Sequence, residues 1–184
     1  PYRSIKTLYT IHNMLFQGNY GREVMDMLGL PEEKYYTEDF FKHHGGISFM
    51  KGALVSADII NTVSKSYSKE ITKAYYAYGL EEIIKKRKKD VYGILNGIDY
   101  EDYNPENSDE LYCNYSEKEL QGKTENKLRL QEELGLESGE DIPIIAIISR
   151  LSSQKGIDLI EELMPELMKE RLQLVIVGGG YESY

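Results

Sequence analysis

Two cations five positions apart, Arg150 and Lys155, stand in the segment Ser149-Arg150-Leu151-Ser152-Ser153-Gln154-Lys155-Gly156. A guanidinium offers a planar fork of donors to phosphate oxygens, and an ammonium offers a mobile point charge. The segment follows the apolar run Ile142 to Ile148 and precedes a helical pattern that begins at Ile157. It therefore leaves the carboxyl end of a strand and enters a helix, and ligands of open α/β sheets bind at that end. The free amides and partial positive charge of a helix N-terminus favour a phosphate. A loop of this length can bring both cations onto one diphosphate, with Gly156 allowing a close backbone approach. The same spacing serves equally for two ordinary surface charges.

Other residues could also do chemistry. His12 and Asn13 end the strand-like run Lys6 to Ile11, where their side chains suit sugar hydroxyls. A lone histidine is more often structural or exposed than catalytic, so this signal is weak by itself. His43 and His44 would face opposite sides of a strand, which argues against a shared metal. Asn96-Gly97-Ile98-Asp99 reads as a tight turn. Gly178-Gly179-Gly180 lacks the third glycine of a dinucleotide fingerprint, which would fall at Ser183 or Tyr184. It reads as a strand-to-loop turn close to a ligand. Cys113 lies in a polar, loop-like stretch and is not expected to be a nucleophile.

The elements that must position these residues alternate between strand and helix. Ser48 caps a predicted helix to Ala57, in which Met50, Ala53, Leu54 and Ala57 share a face. A short buried strand, Asp58 to Val63, leads at once to Ser64, the predicted cap of a helix running to about Tyr76. Such strand–helix succession is the unit of a parallel α/β sheet. Glu81 to Lys88 is helical and Tyr92 to Leu95 strand-like. One amphipathic helix, Lys123 to Leu134, is closed by Gly135. The continuous run Ile142 to Ile148 suits a central parallel strand covered on both faces, with Pro143 at its beginning. A helix from Ile157 to about Glu170 turns Ile157, Ile160, Leu163, Met164 and Leu167 inward, and Pro165 is a candidate kink. Leu172 to Val177 is the last strand. The expected boundary lies at Asn96-Gly97, with residues 1–95 ending one α/β domain and 96–184 beginning another.

The 184 residues suffice for one domain or parts of two. The N-terminus, without an initiator Met, and the end just after an apolar strand both read as cut edges. A net charge of −9 argues against nonspecific nucleic-acid binding. No run of about 18 apolar residues is present. The single cysteine precludes an intramolecular disulfide or a cysteine-built zinc site, and suggests a reducing, cytoplasmic setting. Sixteen tyrosines suit carbohydrate stacking, although aromatics more often fill cores.

Taken in order, these segments resemble the bacterial glycogen synthase and plant starch synthase family. The matching strings are Thr10-Ile11-His12-Asn13 with Phe16-Gln17-Gly18; Ile47 to Leu54 with Ala57-Asp58; Thr62-Val63-Ser64 with Tyr67 and Glu70-Ile71; Gly93 to Asp99 with Asn104-Pro105; Lys123 to Gln131; and Ser149-Arg150-Leu151 with Gln154-Lys155-Gly156. The resemblance covers nearly the whole chain. It implies a retaining glycosyltransferase of the GT-B architecture, two Rossmann-like domains facing across a cleft. Glucose passes from ADP-glucose to the non-reducing end of an α-1,4-glucan, with no metal or cofactor. By the same resemblance, Arg150 and Lys155 hold the donor diphosphate, His12 orients or polarises the transferred glucose, and Asn13 and Asn96 contact it. The family's Lys-Thr-Gly-Gly-Leu loop and its later paired glutamates are not in this sequence, so the chain is expected to be an internal piece, inactive alone. The implied location is bacterial cytoplasm, or a plastid in a plant. Two other readings stay open: a GT-B enzyme using UDP-glucose, and a non-catalytic glycan-binding module.

Overall fold

The computed structural model describes residues 4–180. The chain divides into two compact units, Pro1–Gly97 and Ile98–Tyr184. In the first unit the elements run β1 (Leu8–Ile11), β2 (Asn19–Tyr20), α1 (Val24–Leu28), α2 (Glu32–Tyr35), β3 (Lys42–His43), β4 (Gly46–Ser48), α3 (Phe49–Ser56), β5 (Ile59–Thr62), α4 (Tyr67–Glu70), α5 (Ala74–Ala77), α6 (Glu81–Lys86) and β6 (Val91–Gly93). The main sheet is parallel with order β1-β5-β6, and a small antiparallel sheet has order β2-β4-β3.

Residues that pair in register across a parallel ladder point to one face. Tyr9, Ile11, Ile60, Thr62 and Val91 thus share a side, and the core assembles on it. Ile11, Ile60, Leu54, Ile71 and Ile84 are all buried there. Each fully buried aliphatic side chain contributes roughly 1.5–3 kcal/mol. The opposite face carries Leu8, Ile59 and Tyr92, which stay exposed. β5 is therefore buried on one face only, where the sequence suggested burial throughout.

α3 begins as expected. Ser48 Oγ accepts from the Lys51 amide at 3.1 Å, a side-chain N-cap. The helix is buried on two sides, because Phe41 lies against Gly52 so closely that a Cβ there would come within 2.2 Å of the ring. Its far end is closed by Arg87, whose guanidinium donates to the carbonyls of Leu54 (2.9 Å), Ala57 (2.7 Å) and Asp58 (3.1 Å). A hydrogen bond from a charged donor is worth ~1.5–3 kcal/mol. The exposed-side ion pair of Arg87 with Asp90 is worth ~0–1 kcal/mol, so capping is the larger contribution.

Two expectations fail in this unit. The helix that Ser64 starts does not reach Tyr76. Ser64 Oγ accepts from the Tyr67 amide, but the helix stops at Glu70 and restarts at Ala74. The Thr72 hydroxyl donates to the Lys69 carbonyl at 2.7 Å and Lys73 is extended, which breaks the ladder. His43 and His44 do not splay apart either. His44 adopts φ 47°, which leaves strand geometry and brings the two rings to 4.0 Å between centroids.

The second unit contains α7 (Gln121–Glu133), β7 (Ile144–Ile148), α8 (Ile157–Leu167) and β8 (Gln173–Val177). α7 has no apolar stripe; its buried residues are Gly122 and Gln131. Amide side chains fasten it instead. Asn126 Nδ2 donates to the Cys113 carbonyl at 2.6 Å, and its Oδ1 accepts from the Cys113 amide. Gln131, fully buried, donates to Gln173 Oε1 at 2.9 Å and accepts from the Gly139 amide at 2.9 Å. Gly135 ends the helix in the left-handed region at φ 65°, as its type requires.

β7 pairs in parallel with β8, from Ile144 opposite Gln173 to Ile148 opposite Val177. The strand is not covered on both faces. Ile148 is 78% exposed, because the described sheet has two strands and α8 shields only part of it. α8 buries Ile157 and partly buries Ile160, Met164 and Leu167, whereas Leu163 faces out. Pro165 sits inside the helix, which continues two residues further. Among the described residues no helix is long and apolar enough to cross a membrane.

The start of β1 is fastened by Asp58. Its carboxylate accepts from Lys6 Nζ, the Thr7 amide and the Thr7 hydroxyl, at 2.8–3.0 Å. These bonds, led by that from Lys6, hold its pKa down from 3.8 to about 2. Folded-state depression means the stabilisation is whole above the unfolded value and is lost as pH falls through about 2. Denaturation midpoints should therefore fall for the parent protein as pH drops from 4 to 2. Asp58→Asn should lower the midpoint at neutral pH and flatten that acid slope.

Candidate functional site

The carboxyl edge of the first unit's sheet is held by side chains distant in sequence. Thr62 Oγ1 donates to the Ile11 carbonyl at 2.8 Å, so the last residue of β1 cannot drift from β5. His12 follows and is exposed. Asn13 Oδ1 accepts from the Leu15 amide at 2.9 Å and turns the chain. The Met14 amide donates to the Tyr67 hydroxyl at 3.0 Å. Gln17, buried, donates to the Tyr78 carbonyl at 3.0 Å, and its own carbonyl accepts from the Ser48 hydroxyl and the Met50 amide. The main chain around His12 is thus fixed while its imidazole stands in solvent.

Asn96 leaves the same edge, three residues beyond β6. Parallel strands put their carboxyl ends together, and β1 and β6 flank β5 about 10 Å apart. The residues 96–99 do not form a turn. The first turn begins at Asp99, whose carboxylate accepts from the Glu101 amide at 2.9 Å. Asp99 supplies the turn chemistry that the Asn-Gly pair was expected to supply. Asn96 is exposed.

In the second unit, main chain meets main chain beyond β7. The Ser149 amide donates to the Val177 carbonyl at 3.1 Å and the Leu151 amide to the Gly179 carbonyl at 2.9 Å. Leu151 and Gly180 form a parallel bridge. A Cβ on Gly178 would lie 1.8 Å from the Ser149 carbonyl oxygen, and one on Gly180 would lie 2.5 Å from Leu151. The three glycines thus seat Ser149-Arg150-Leu151. No local pattern in the sequence signals that these two segments touch.

Arg150 projects from this seat and is exposed. Ser152 is extended, Ser153–Lys155 form a 3-10 turn, and Gly156 takes φ 72° before α8. Gly156 takes the left-handed conformation that favours glycine, and among the described residues a Cβ there would meet only Leu159 at 3.7 Å. No side chain caps the N-terminus of α8. Among the described residues neither Arg150 nor Lys155 has an acidic partner within 4.0 Å, and both are exposed. Two unpaired cations beside an uncapped helix N-terminus suit a polyanion such as a diphosphate.

Other features suit such a ligand less. A hollow of about 630 Å³ in this unit is lined by Glu106, Glu119, Glu125 and Glu140, whose charge would repel an anion. Among the described residues no group of three or more His, Cys, Asp or Glu could hold a metal ion. Ser183 and Tyr184, where a third fingerprint glycine would fall, lie outside the described residues. His12, Asn13 and Asn96 belong to the first unit and Arg150 and Lys155 to the second.

Comparison with known proteins gives this geometry a context. The family profile described as "Starch synthase catalytic domain" matches residues 1–86. The chain is 47% identical to the glycogen synthase of Clostridium novyi (strain NT) over 182 residues, which are 98% of this chain and 38% of that protein. It is 45% identical to the glycogen synthase of Clostridioides difficile (strain 630) over 184 residues, again 38% of the relative. The solved catalytic domain of starch synthase IV from Arabidopsis thaliana, bound to ADP and acarbose, superposes with a TM-score of 0.86 at 31% identity. That match covers 97% of this chain and 37% of the other.

Parallel strand–helix units with this superposition define the GT-B glycosyltransferase class. Within it, the chain belongs to the glycogen synthase and starch synthase family. It spans about 38% of the length of the curated relatives it matches.

The seat beneath Arg150 can be tested without any ligand. Gly178→Ala forces a methyl group into the Ser149 carbonyl and should cost ~1–3 kcal/mol in denaturant unfolding, the range for overpacking. Gly179→Ala, which meets nothing within 4 Å, should cost less.

Proposed function

We propose that the full-length protein transfers glucose from ADP-glucose to the non-reducing end of an α-1,4-glucan, with retention of configuration. The observation that carries this reading is the exposed pair Arg150 and Lys155 in the loop between the carboxyl end of β7 and α8. Glycogen synthases among its relatives support the reaction, and the starch synthase bound to ADP and acarbose supports an ADP leaving group and a glucan acceptor.

In this reading residues 1–95 belong to the acceptor-side domain and 96–184 begin the nucleotide-sugar domain. As the bond from glucose to the diphosphate breaks, negative charge builds on the leaving oxygens. Arg150 and Lys155 stabilise that charge where a metal would otherwise do so, and such preorganised groups favour the transition state over the ground state. His12 orients the transferred glucose, and Asn13 and Asn96 hold its hydroxyls. No separate cofactor takes part. The bacterial relatives and the single cysteine support a cytoplasmic location.

Kinetics of the full-length protein test the assignment. Arg150→Ala and Lys155→Ala should each lower kcat by about 10²–10³, the usual effect of removing one charge-stabilising donor. Rates within twofold of the parent would remove both residues from the reaction. ADP-glucose should turn over faster than UDP-glucose; the reverse order would favour a UDP-glucose enzyme of the same architecture. ADP should bind the full-length protein measurably by titration, whereas a purely glycan-binding module would take up glucan and not ADP. The 184 residues alone span 38% of a relative and should show no elongation; detectable ADP-glucose-dependent elongation would refute that expectation.

A further inference from the structure

We propose that Asn96-Gly97 is a self-modifying site at which the asparagine converts spontaneously to aspartate and isoaspartate. Asn96 is the asparagine of this chain that precedes a glycine. Both residues are exposed, in a stretch from Ile94 to Asp99 without regular structure. Among the described residues, the Asn96 amide side chain has no hydrogen-bond partner, and the Gly97 amide has none either. Gly97 has an ordinary negative-φ backbone, and nothing lies within 4 Å of where its Cβ would be. Both reacting groups are therefore unrestrained and sterically open.

The reaction needs only base and water. The Gly97 nitrogen loses its proton and attacks Asn96 Cγ. The new N–Cγ bond closes a five-membered imide, the Cγ–Nδ2 bond breaks, and ammonia leaves after taking up a proton. Water then adds to one of the two imide carbonyls, and that carbonyl's bond to nitrogen breaks. Opening at Cγ yields aspartate; opening at the main-chain carbonyl yields isoaspartate, which adds a methylene to the backbone. Either product places a new carboxylate between the two units' sequences.

Several other asparagines carry side-chain restraints that Asn96 lacks. Asn61 lies in β5 with its Oδ1 held by the Thr10 hydroxyl at 2.6 Å. The Asn13 Oδ1 is held by the Leu15 amide, and Asn126 is engaged through three hydrogen bonds. Asn107 precedes Ser108, whose side chain hinders attack more than glycine does. The chemistry stands apart from the glucosyl-transfer reading. Its consequence for activity rests on that reading, which puts a sugar contact at Asn96.

Incubation of the full-length protein at neutral and mildly alkaline pH, followed by peptide mapping with electron-transfer fragmentation, reads the products directly and does not involve activity. Conversion at Asn96 should exceed that at every other asparagine and rise with pH. Both aspartate and isoaspartate should appear. Gly97→Ala, with folding checked by circular dichroism, should slow conversion by about tenfold. Retention of the Asn96 amide while Asn107 converts would overturn the proposal. So would an equal rate in the Gly97→Ala protein.

Discussion

Two stretches of main chain, Ser149–Leu151 and Gly178–Gly180, lie closer than any pair of ordinary side chains would allow. The placement of Arg150 depends on that approach. Parallel strands end in a ladder whose last bonds come from the Ser149 and Leu151 amides, and glycine is the residue that lets the ladder extend past β8. With the loop seated, Arg150 is exposed. Lys155 then follows after one extended residue and one 3-10 turn, and α8 begins at once. The cationic end of the unit is therefore built by backbone geometry, with the side chains left to solvent.

The first unit reaches a similar end by different means. Its edge is fixed by polar side chains: Thr62 on the Ile11 carbonyl, Tyr67 on the Met14 amide, Gln17 and Ser48 beneath the loop. Each is a hydrogen bond in or beside a core, where leaving a partner unsatisfied costs ~1–3 kcal/mol. The exposed imidazole of His12 thus rests on a main chain that these groups hold in place. In both units a fixed main chain and an exposed candidate side chain occur together, the arrangement that a preorganised site requires.

Much of this was legible in the sequence because it depends on near neighbours. Ser48 as a cap, Gly135 as a helix stop and the Ile144–Ile148 strand follow from local patterns. What was not legible depends on distant partners or on competing local bonds. The Thr72 hydroxyl accompanies a break in the helix expected to run from Ser64 to about Tyr76. Asp99 takes the turn away from Asn96-Gly97. The left-handed conformation of Gly156 is set by the turn into α8, which residue spacing alone does not show. The Gln131–Gln173 pair spans 42 positions, and no spacing rule signals it. The candidate site residues are readable by type and order, whereas the groups that hold their main chain in place are not.

The central claim is that Arg150 and Lys155 grip the diphosphate of a nucleotide sugar. A crystal structure of the full-length protein with ADP tests it most directly. The account predicts nitrogen atoms of both residues at ~2.7–3.2 Å from phosphate oxygens, with the loop from Ser149 to Gly156 seated on the glycines as here. ADP phosphates bound elsewhere, with both cations still in solvent, would contradict it.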